Sequence, residues 1–356
     1  MSSEHDVSPR TRLAADNLCS IAAAARAEDP IGSGLFTTRA LAVEVPPPWS
    51  TSFYRADPEG NLRERTAAML STYYERLQAT APAGGLFVDG YVGVFAIAPD
   101  REWSTPGLTR VLMVTRPEGP FRAFEVAEYH FPVESERILD LVSAFLEGDG
   151  DYASVEVYRV PHGGQRELFV CTHGQVDICC GTFGFPLYTE ARRLEGARVW
   201  RASHFGGHRY APTAWELPSG YTWGFLDESS THAVMSRRGD TRALGPKMRG
   251  TAGLEPHVQL LDRVGFEEFG WAWLDFERSG TAEQVAPEER RWRVRLAYRG
   301  PGGETGRYEG EVDVLRDLPA LGCGTESEDS THTVPEYRLL TVTHDRGVAF
   351  PVLATF

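Results

Sequence analysis

Two cysteines and two histidines near the middle of the chain are the side chains best suited to carry chemistry. Eight residues separate Cys171 from Cys180, and three separate His204 from His208. Thiolate sulfur and imidazole nitrogen suit zinc or iron–sulfur centres, whereas calcium and magnesium prefer oxygen ligands. The pattern therefore predicts a metal centre that uses these four side chains as its ligands.

Five nearby residues are candidates for supporting that centre. Gly206 and Gly207, between the histidines, lack side chains and can bend the chain sharply against an inorganic core. Their amides could donate hydrogen bonds to it. Asp177 is expected to cap the loop between the cysteines by accepting backbone hydrogen bonds. For His173 two roles stay open: it hydrogen-bonds to a ligand of the centre, or it lies in a loop and faces solvent. For Arg209 the alternatives are compensation of negative charge and exposure to solvent.

The other cysteines do not form a disulfide scaffold. The chain has five cysteines, an odd number, without the spacing of secreted disulfide frameworks. In a reducing compartment, clustered cysteines indicate metal or redox chemistry. Cys179 competes with Cys180, but neighbouring side chains of an extended segment point in opposite directions, so one of them alone should reach the metal. Cys19 is expected to pack as a small apolar side chain, and Cys323 has no assigned role.

Zinc is the main alternative to an iron–sulfur cluster. Structural zinc sites usually take cysteine pairs separated by about two to four residues, whereas a gap of eight suits a loop around a two-iron core. The spacing therefore favours a [2Fe–2S] cofactor and one-electron transfer over a zinc-binding structural or interaction domain. Thiol–disulfide exchange lacks the usual Cys-x-x-Cys motif, and a Cys–His nucleophile would leave two ligands unexplained.

Composition narrows the classes of partner. The 356 residues include 50 acidic and 36 basic side chains, a formal charge of −14. Such a surface repels nucleic acid and anionic lipid but suits docking to a basic partner. No stretch approaches the roughly 18 apolar residues of a membrane span, and residues 1–12 lack the apolar segment of a secretory signal. We therefore expect a cytoplasmic protein with no nucleic-acid or membrane partner.

The hydrophobic pattern predicts an α+β protein with an α/β centre. Residues 1–160 alternate strands with helices and form a predicted N-terminal α/β domain. The predicted elements are strands at 41–45, 86–97, 110–115 and 121–130, and helices at 13–27, 62–79 and 134–147.

Two further units follow. Residues 161–262 run strand, helix, strand, hairpin, helix, the order of a thioredoxin-like unit, with these elements at 167–170, 187–194, 197–201, 213–226 and 228–237. Residues 263–356 form a predicted β-rich C-terminal domain, with strands at 271–277, 291–298, 307–315 and 336–343.

The central motif resembles the sucrase/ferredoxin-like family. The resemblance covers residues 168–226 well and rests on two cysteines with eight residues between them, followed by His-x-Gly-Gly-His. It extends weakly to Cys19-Ser20, to the strand at 41–49 and to Cys323-Gly324. It implies a thioredoxin-like ferredoxin domain that carries a [2Fe–2S] cluster, with Cys171 and Cys180 on one iron and His204 and His208 on the other. The position before Gly181 matches the family's second cysteine. Sucrase activity has no support, because a glycosidase needs two placed carboxylates and none can be singled out.

The chain departs from the family pattern at two places. Val176-Asp177 stands where Arg-Asp is usual, and Gly224-Phe225 stands where Gly-Arg is frequent. Each change removes a positive charge near the centre, so the potential and the docking of a partner should differ from those of relatives. The redox partner cannot be named from the residues, although a reductase with a basic docking face would suit the charge.

Overall fold

The computed structural model describes residues 18–49, 92–133, 135–147, 152–320, 322–323 and 333–350. Helices and mixed sheets occur together there, which confirms the α+β class. The helices are α1 (Cys19–Ala25), α2 (Arg137–Glu147), α3 (Ile178–Ala191), α4 (Glu228–Ser236) and α5 (Pro256–Phe269). The strands are β1 (Arg39–Glu44), β2 (Val92–Ile97), β3 (Leu108–Thr115), β4 (Glu125–Pro132), β5 (Arg159–Val160), β6 (Glu167–Cys171), β7 (Arg198–Ala202), β8 (Ala214–Leu217), β9 (Tyr221–Trp223), β10 (Met248–Thr251), β11 (Glu277–Ala286), β12 (Arg291–Arg299), β13 (Thr305–Pro319) and β14 (Thr333–Arg346).

Ten of the described strands form one mixed sheet, in the order β10-β9-β8-β6-β7-β2-β1-β3-β4-β5. Strand β6 pairs in parallel with β7 on one side and antiparallel with β8 on the other. Every residue of β6 is buried, as expected for a central strand that is covered on both faces. Such a strand gives its last residue, Cys171, a fixed position.

Strands β11 to β14 form a second, antiparallel sheet. Its strands confirm the predictions at 291–298, 307–315 and 336–343, where apolar and polar residues alternate. Val294 and Leu296 of this sheet and Phe169 and Trp215 of the large sheet belong to one apolar core. The two sheets are therefore packed together by shared burial.

Two predicted elements are wrong. Residues 270–275 form a 3₁₀ helix and not a strand, because Trp273 turns inward and donates from Nε1 to Asp262 Oδ1 at 2.8 Å. The helix expected at 187–194 is α3, and it begins nine positions earlier, at Ile178. Glycines and a proline lower its helix propensity, which hid its first turns. Helix α5 was not predicted, and the helix expected at 62–79 lies outside the described residues.

The division into three domains remains a prediction. Strands from 1–160 and from 161–262 belong to one sheet, since Ile97 of β2 pairs with Ala202 of β7. The predicted order of strand, helix, strand, hairpin and helix is present as β6, α3, β7, β8, β9 and α4, while the thioredoxin-like description remains a prediction. Among the described helices, none combines the length and apolar character needed to cross a membrane.

Candidate metal centre

Two parallel strands position the first cysteine and the first histidine. Cys171 is the last residue of β6 and lies opposite Ala202, the last residue of β7. Because parallel strands end at the same edge of a sheet, His204, two residues beyond β7, comes beside Cys171. The Cys171 Sγ atom lies 3.7 Å from His204 Nδ1.

Helix α3 supplies the second cysteine. Asp177 caps its N-terminus by accepting a 2.9 Å hydrogen bond from the Cys179 amide. One turn places Cys180 Sγ 3.6 Å from His204 Nδ1. The ligand atoms of Cys171, Cys180 and His204 all lie within 4.8 Å of one another, with both cysteines buried and the histidine half-buried. We call these three residues, together with His208, the central site.

His208 lies beside that group and not within it. Its ring centroid is 5.7 Å from that of His204. Its Nδ1 atom is 3.1 Å from Asp177 Oδ2 and 3.3 Å from Cys19 Sγ. With Nδ1 engaged by the carboxylate, Nε2 is the nitrogen left to bind a metal, an arrangement common among metal-binding histidines. The structure thus brings together three predicted ligands and places the fourth next to them.

Glycines allow α3 to lie directly against the end of β6. A Cβ atom at Gly184 would collide with the carbonyl oxygen of Cys171. A Cβ atom at Gly181 would lie 2.9 Å from Gly174 Cα. These three glycines were not singled out from the sequence, although two of them interrupt a helix and so carry a visible signal.

The loop between the histidines uses its glycines as expected for a sharp bend. Gly206 and Gly207 have φ angles of +91° and +80°, in the left-handed region that favours glycine. A Cβ atom at Gly206 would meet no atom within 4 Å, whereas one at Gly207 would collide with the guanidinium of Arg249. Gly206 therefore faces open space, whereas Gly207 must be a glycine to pack on Arg249.

A buried cation, Arg249, underlies this loop. It is 2% exposed and donates to the carbonyl oxygens of Ser33, at 2.7 Å, and Gly206, at 3.2 Å. Burial lowers the pKa of Arg249 to about 10, while the nearby Cys171 and Cys180 act in the opposite direction. The positive charge of Arg249 lies near the thiols of Cys171 and Cys180. The motif of this chain lacks the arginines expected at positions 176 and 225, so Arg249 supplies a positive charge from elsewhere. Arg249 was missed because it lies on β10, far from the motif in sequence.

The two central thiols shift each other's pKa in opposite directions. Burial raises the pKa of Cys171, but contacts with Cys180 and His204 outweigh it and lower that pKa well below its ordinary value. Contact with Cys171, followed by burial, raises the pKa of Cys180. A cation that neutralises the second thiolate would stabilise the fully deprotonated pair. The donor set therefore fits a bound metal.

A comparison of the sequence with known protein families assigns the chain to one of them. The model of the sucrase/ferredoxin-like family matches residues 37–250, more than half of the chain. The chain belongs to the sucrase/ferredoxin-like family. No curated protein and no solved structure matched it significantly. The matched region holds the whole central site and Cys179, but neither Cys19 nor Cys323.

His173 and Asp177 have structural roles in this sucrase/ferredoxin-like chain. His173 is 4% exposed, so its placement in solvent is wrong. Its Nδ1 atom accepts a 3.3 Å hydrogen bond from the His204 amide, and its Nε2 atom lies 3.1 Å from the Trp49 carbonyl oxygen. Asp177 caps as predicted, although it caps a helix. Burial raises the pKa of Asp177, but His208 and the Cys323 amide outweigh it and lower that pKa.

Arg209 is not exposed, and the charge that it compensates is that of Glu28. It is 8% exposed and forms a two-pronged ion pair with Glu28, with both N–O distances at 2.9 Å. It also donates to the Pro319 carbonyl oxygen at 2.7 Å. Arg209 thereby fastens the segments that carry Cys19 and Cys323 to the histidine loop.

A second group of sulfur atoms lies on the other side of the first turn of α3. Cys179 Sγ lies 3.1 Å from Cys323 Sγ and 3.6 Å from Cys19 Sγ, and the last two atoms are 3.5 Å apart. Together with Asp177, these cysteines place four ligand atoms within 4.8 Å of one another. We call these four residues the three-cysteine site. As expected, Cys180 and not Cys179 faces His204, but the reason is helical rotation and not an extended chain.

Proposed function

We propose that the chain is a one-electron transfer protein that binds a [2Fe–2S] cluster through Cys171, Cys180, His204 and His208. The observation that carries the proposal is the convergence of two buried thiols and one imidazole within 4.8 Å, beside a second imidazole. Such a cluster, when bound, exchanges single electrons at iron. The chain supplies the ligands, the surrounding charge and the access to solvent.

The charge of the ligands sets the expected potential. Two thiolates and two neutral imidazoles bring two negative charges, where four cysteines would bring four. Buried Arg249 adds a positive charge nearby. Centres with two histidine ligands span about −150 to +300 mV, against roughly −400 mV for plant-type ferredoxins. We expect a value in the lower part of that window, because the chain carries a formal charge of −14.

Electrons would enter on the histidine side or across the loop between the cysteines. His204 and His208 are half-buried, and in that loop Val176 and Ile178 are 41% and 43% exposed. Exposed apolar side chains on a chain with a formal charge of −14 suit brief docking to a reductase with a basic face. All five cysteines are free thiols, which fits the proposed cytoplasmic location.

A zinc-binding structural or interaction domain is the second candidate, and two distances favour it. His204 Nδ1 lies 3.6 and 3.7 Å from the two sulfur atoms, which suits a single ion. A diiron core is larger and would require a wider separation between the imidazole and the two sulfur atoms.

Metal and sulfide analysis separates the candidates. Protein purified without oxygen should contain two iron atoms and two acid-labile sulfides per chain at the central site, and Cys171→Ala should remove both. Zinc that is lost on Cys171→Ala, with no sulfide and no colour, would retire the electron-transfer proposal.

A further inference from the structure

We propose that Cys19, Cys179, Cys323 and Asp177 bind one zinc ion at a site separate from the central site. Three thiols and one carboxylate form a donor set typical of tetrahedral zinc. None of these four side chains is a proposed ligand of the central site. The proposal therefore does not depend on the identity of the metal in the central site.

The spacing of the donors fits one ion. Sulfur atoms about 2.3 Å from a tetrahedral zinc lie about 3.8 Å from one another. The three observed sulfur separations are 3.1, 3.5 and 3.6 Å. Asp177 oxygen lies 3.1 Å from Cys323 Sγ and 3.7 Å from Cys19 Sγ. A small outward movement of the sulfur atoms would produce the tetrahedron, whereas a cluster of several metals would need far wider spacing.

Burial makes these donors costly without a cation. Cys179 is fully buried, Asp177 is 4% exposed and Cys19 is 9% exposed. Asp177 lies at the start of the 14-residue helix α3, and its carboxylate contacts the thiols of Cys323 and Cys19. Anionic ligands near a helix N-terminus are stabilised by its dipole, and a bound zinc ion would compensate the charge of the thiolates that form when it binds.

Contacts outside the three-cysteine site hold the segments that carry its cysteines together. Its cysteines come from α1, from α3 and from the segment after β13. The ion pair of Arg209 with Glu28, and its hydrogen bond to Pro319, hold the first and last of these segments against the histidine loop. The Cys19 amide also lies 3.4 Å from Cys323 Sγ. A zinc ion here would join three distant parts of the chain.

Asp177 links the two sites. Its carboxylate belongs to the three-cysteine site and also lies 3.1 Å from His208 Nδ1. Zinc at one end of this contact would withdraw negative charge from the imidazole at the other. Loss of zinc should therefore shift the properties of the central site without removing its sulfur ligands.

The test is zinc content per chain, measured by mass spectrometry on full-length protein and three variants. Cys19→Ser and Cys323→Ser each remove one donor of the three-cysteine site, and Cys171→Ser is the matched control in the central site. We expect Cys19→Ser and Cys323→Ser each to lose one zinc per chain relative to the wild type, and Cys171→Ser to keep at least one. Iron and sulfide, measured in the same samples, report on the central site independently.

A second measurement needs no variant. Wild-type protein stripped with a chelator and titrated with Co²⁺ should show the intense thiolate-to-cobalt absorption of a three-sulfur tetrahedral site. A zinc content equal to that of the wild type in both Cys19→Ser and Cys323→Ser would overturn the proposal. So would wild-type protein that binds neither ion there, or whose mass is lower by two hydrogens because Cys179 and Cys323 form a disulfide.

Discussion

Cys179 and Cys180 are neighbours in the chain, yet they face two different sites. Cys180 turns toward Cys171 and His204 in the central site, at the edge of the large sheet. Cys179 turns toward Cys19 and Cys323 in the three-cysteine site. The central site is built from one short stretch of sequence, whereas the other gathers residues from both ends of the chain. One helical turn thus serves a local and a non-local metal site.

Replacing each of these two neighbouring cysteines in turn is the strongest test of whether the two sites are separate. We expect Cys180→Ala to lose all iron and colour and to keep its zinc, and Cys179→Ala to lose its zinc and keep the iron. The reason is that each sulfur faces one group only. Iron, sulfide and zinc analysis of the two variants checks this. Two variants that lose the same metal would contradict the separation of the sites.

Removing the Arg209 guanidinium tests how far the two sites depend on the ends of the chain. In Arg209→Met the buried carboxylate of Glu28 loses its two-pronged ion pair and keeps a 3.8 Å contact with half-exposed Arg26, so we expect a loss of about 3–5 kcal/mol in the free energy of unfolding. The matched control is Arg290→Met. Arg290 pairs with Asp317 at 2.7 Å but is about half exposed, so it should cost at most about 1 kcal/mol.

Urea denaturation of these two variants measures both values. Zinc retention in Arg209→Met should fall before iron retention does, because the ion pair holds the segments of Cys19 and Cys323. Equal destabilisation by both variants would show that the buried pair has no special role.

Replacing His204 by cysteine would add a third sulfur ligand to the central site. This substitution tests whether His204 is a ligand. We expect His204→Cys to keep a cluster and to lower its reduction potential toward the roughly −400 mV of four-cysteine centres, because a thiolate adds negative charge. Redox titration followed by visible absorption measures the shift. A potential that rises or stays unchanged would mean that His204 is not a ligand.

Much of the central site could be predicted from the sequence, because its residues lie close together in the chain. The spacing of Cys171, Cys180, His204 and His208 showed the metal-binding pattern. Arg249 and the three-cysteine site could not be predicted, since a lone cysteine or arginine carries no periodic signal and its neighbours are set by the fold. The alternation of apolar and polar residues correctly predicted the last three strands. It wrongly predicted a further strand where residues 270–275 form a 3₁₀ helix.

Disturbing the contact between α3 and β6 should have a smaller effect on stability than removing the Arg209 ion pair. Gly184→Ala adds a methyl group against the Cys171 carbonyl oxygen, so we expect a cost of about 1–3 kcal/mol from overpacking. That cost exceeds the gain in helix propensity of about 1 kcal/mol. Thr182→Ala, on an exposed position of the same helix, is the control. Thermal unfolding measures both, and a stabilised Gly184→Ala protein would refute the close approach.

The charge of Arg249 gives the smallest predicted change. Arg249→Met should lower the reduction potential by some tens of millivolts, because a positive charge near Cys171 and Cys180 favours the reduced state. Arg249→Lys keeps the charge and should shift it less. Protein-film voltammetry resolves the difference, and equal shifts in both variants would assign the effect to packing.

The central claim is most directly tested by low-temperature electron paramagnetic resonance of anaerobically purified protein, before and after addition of dithionite. A [2Fe–2S] cluster on two cysteines and two histidines predicts a silent oxidised sample and a rhombic signal that appears on reduction. Protein that stays silent in both states, and contains zinc at Cys171 and Cys180 in place of iron, would contradict the account.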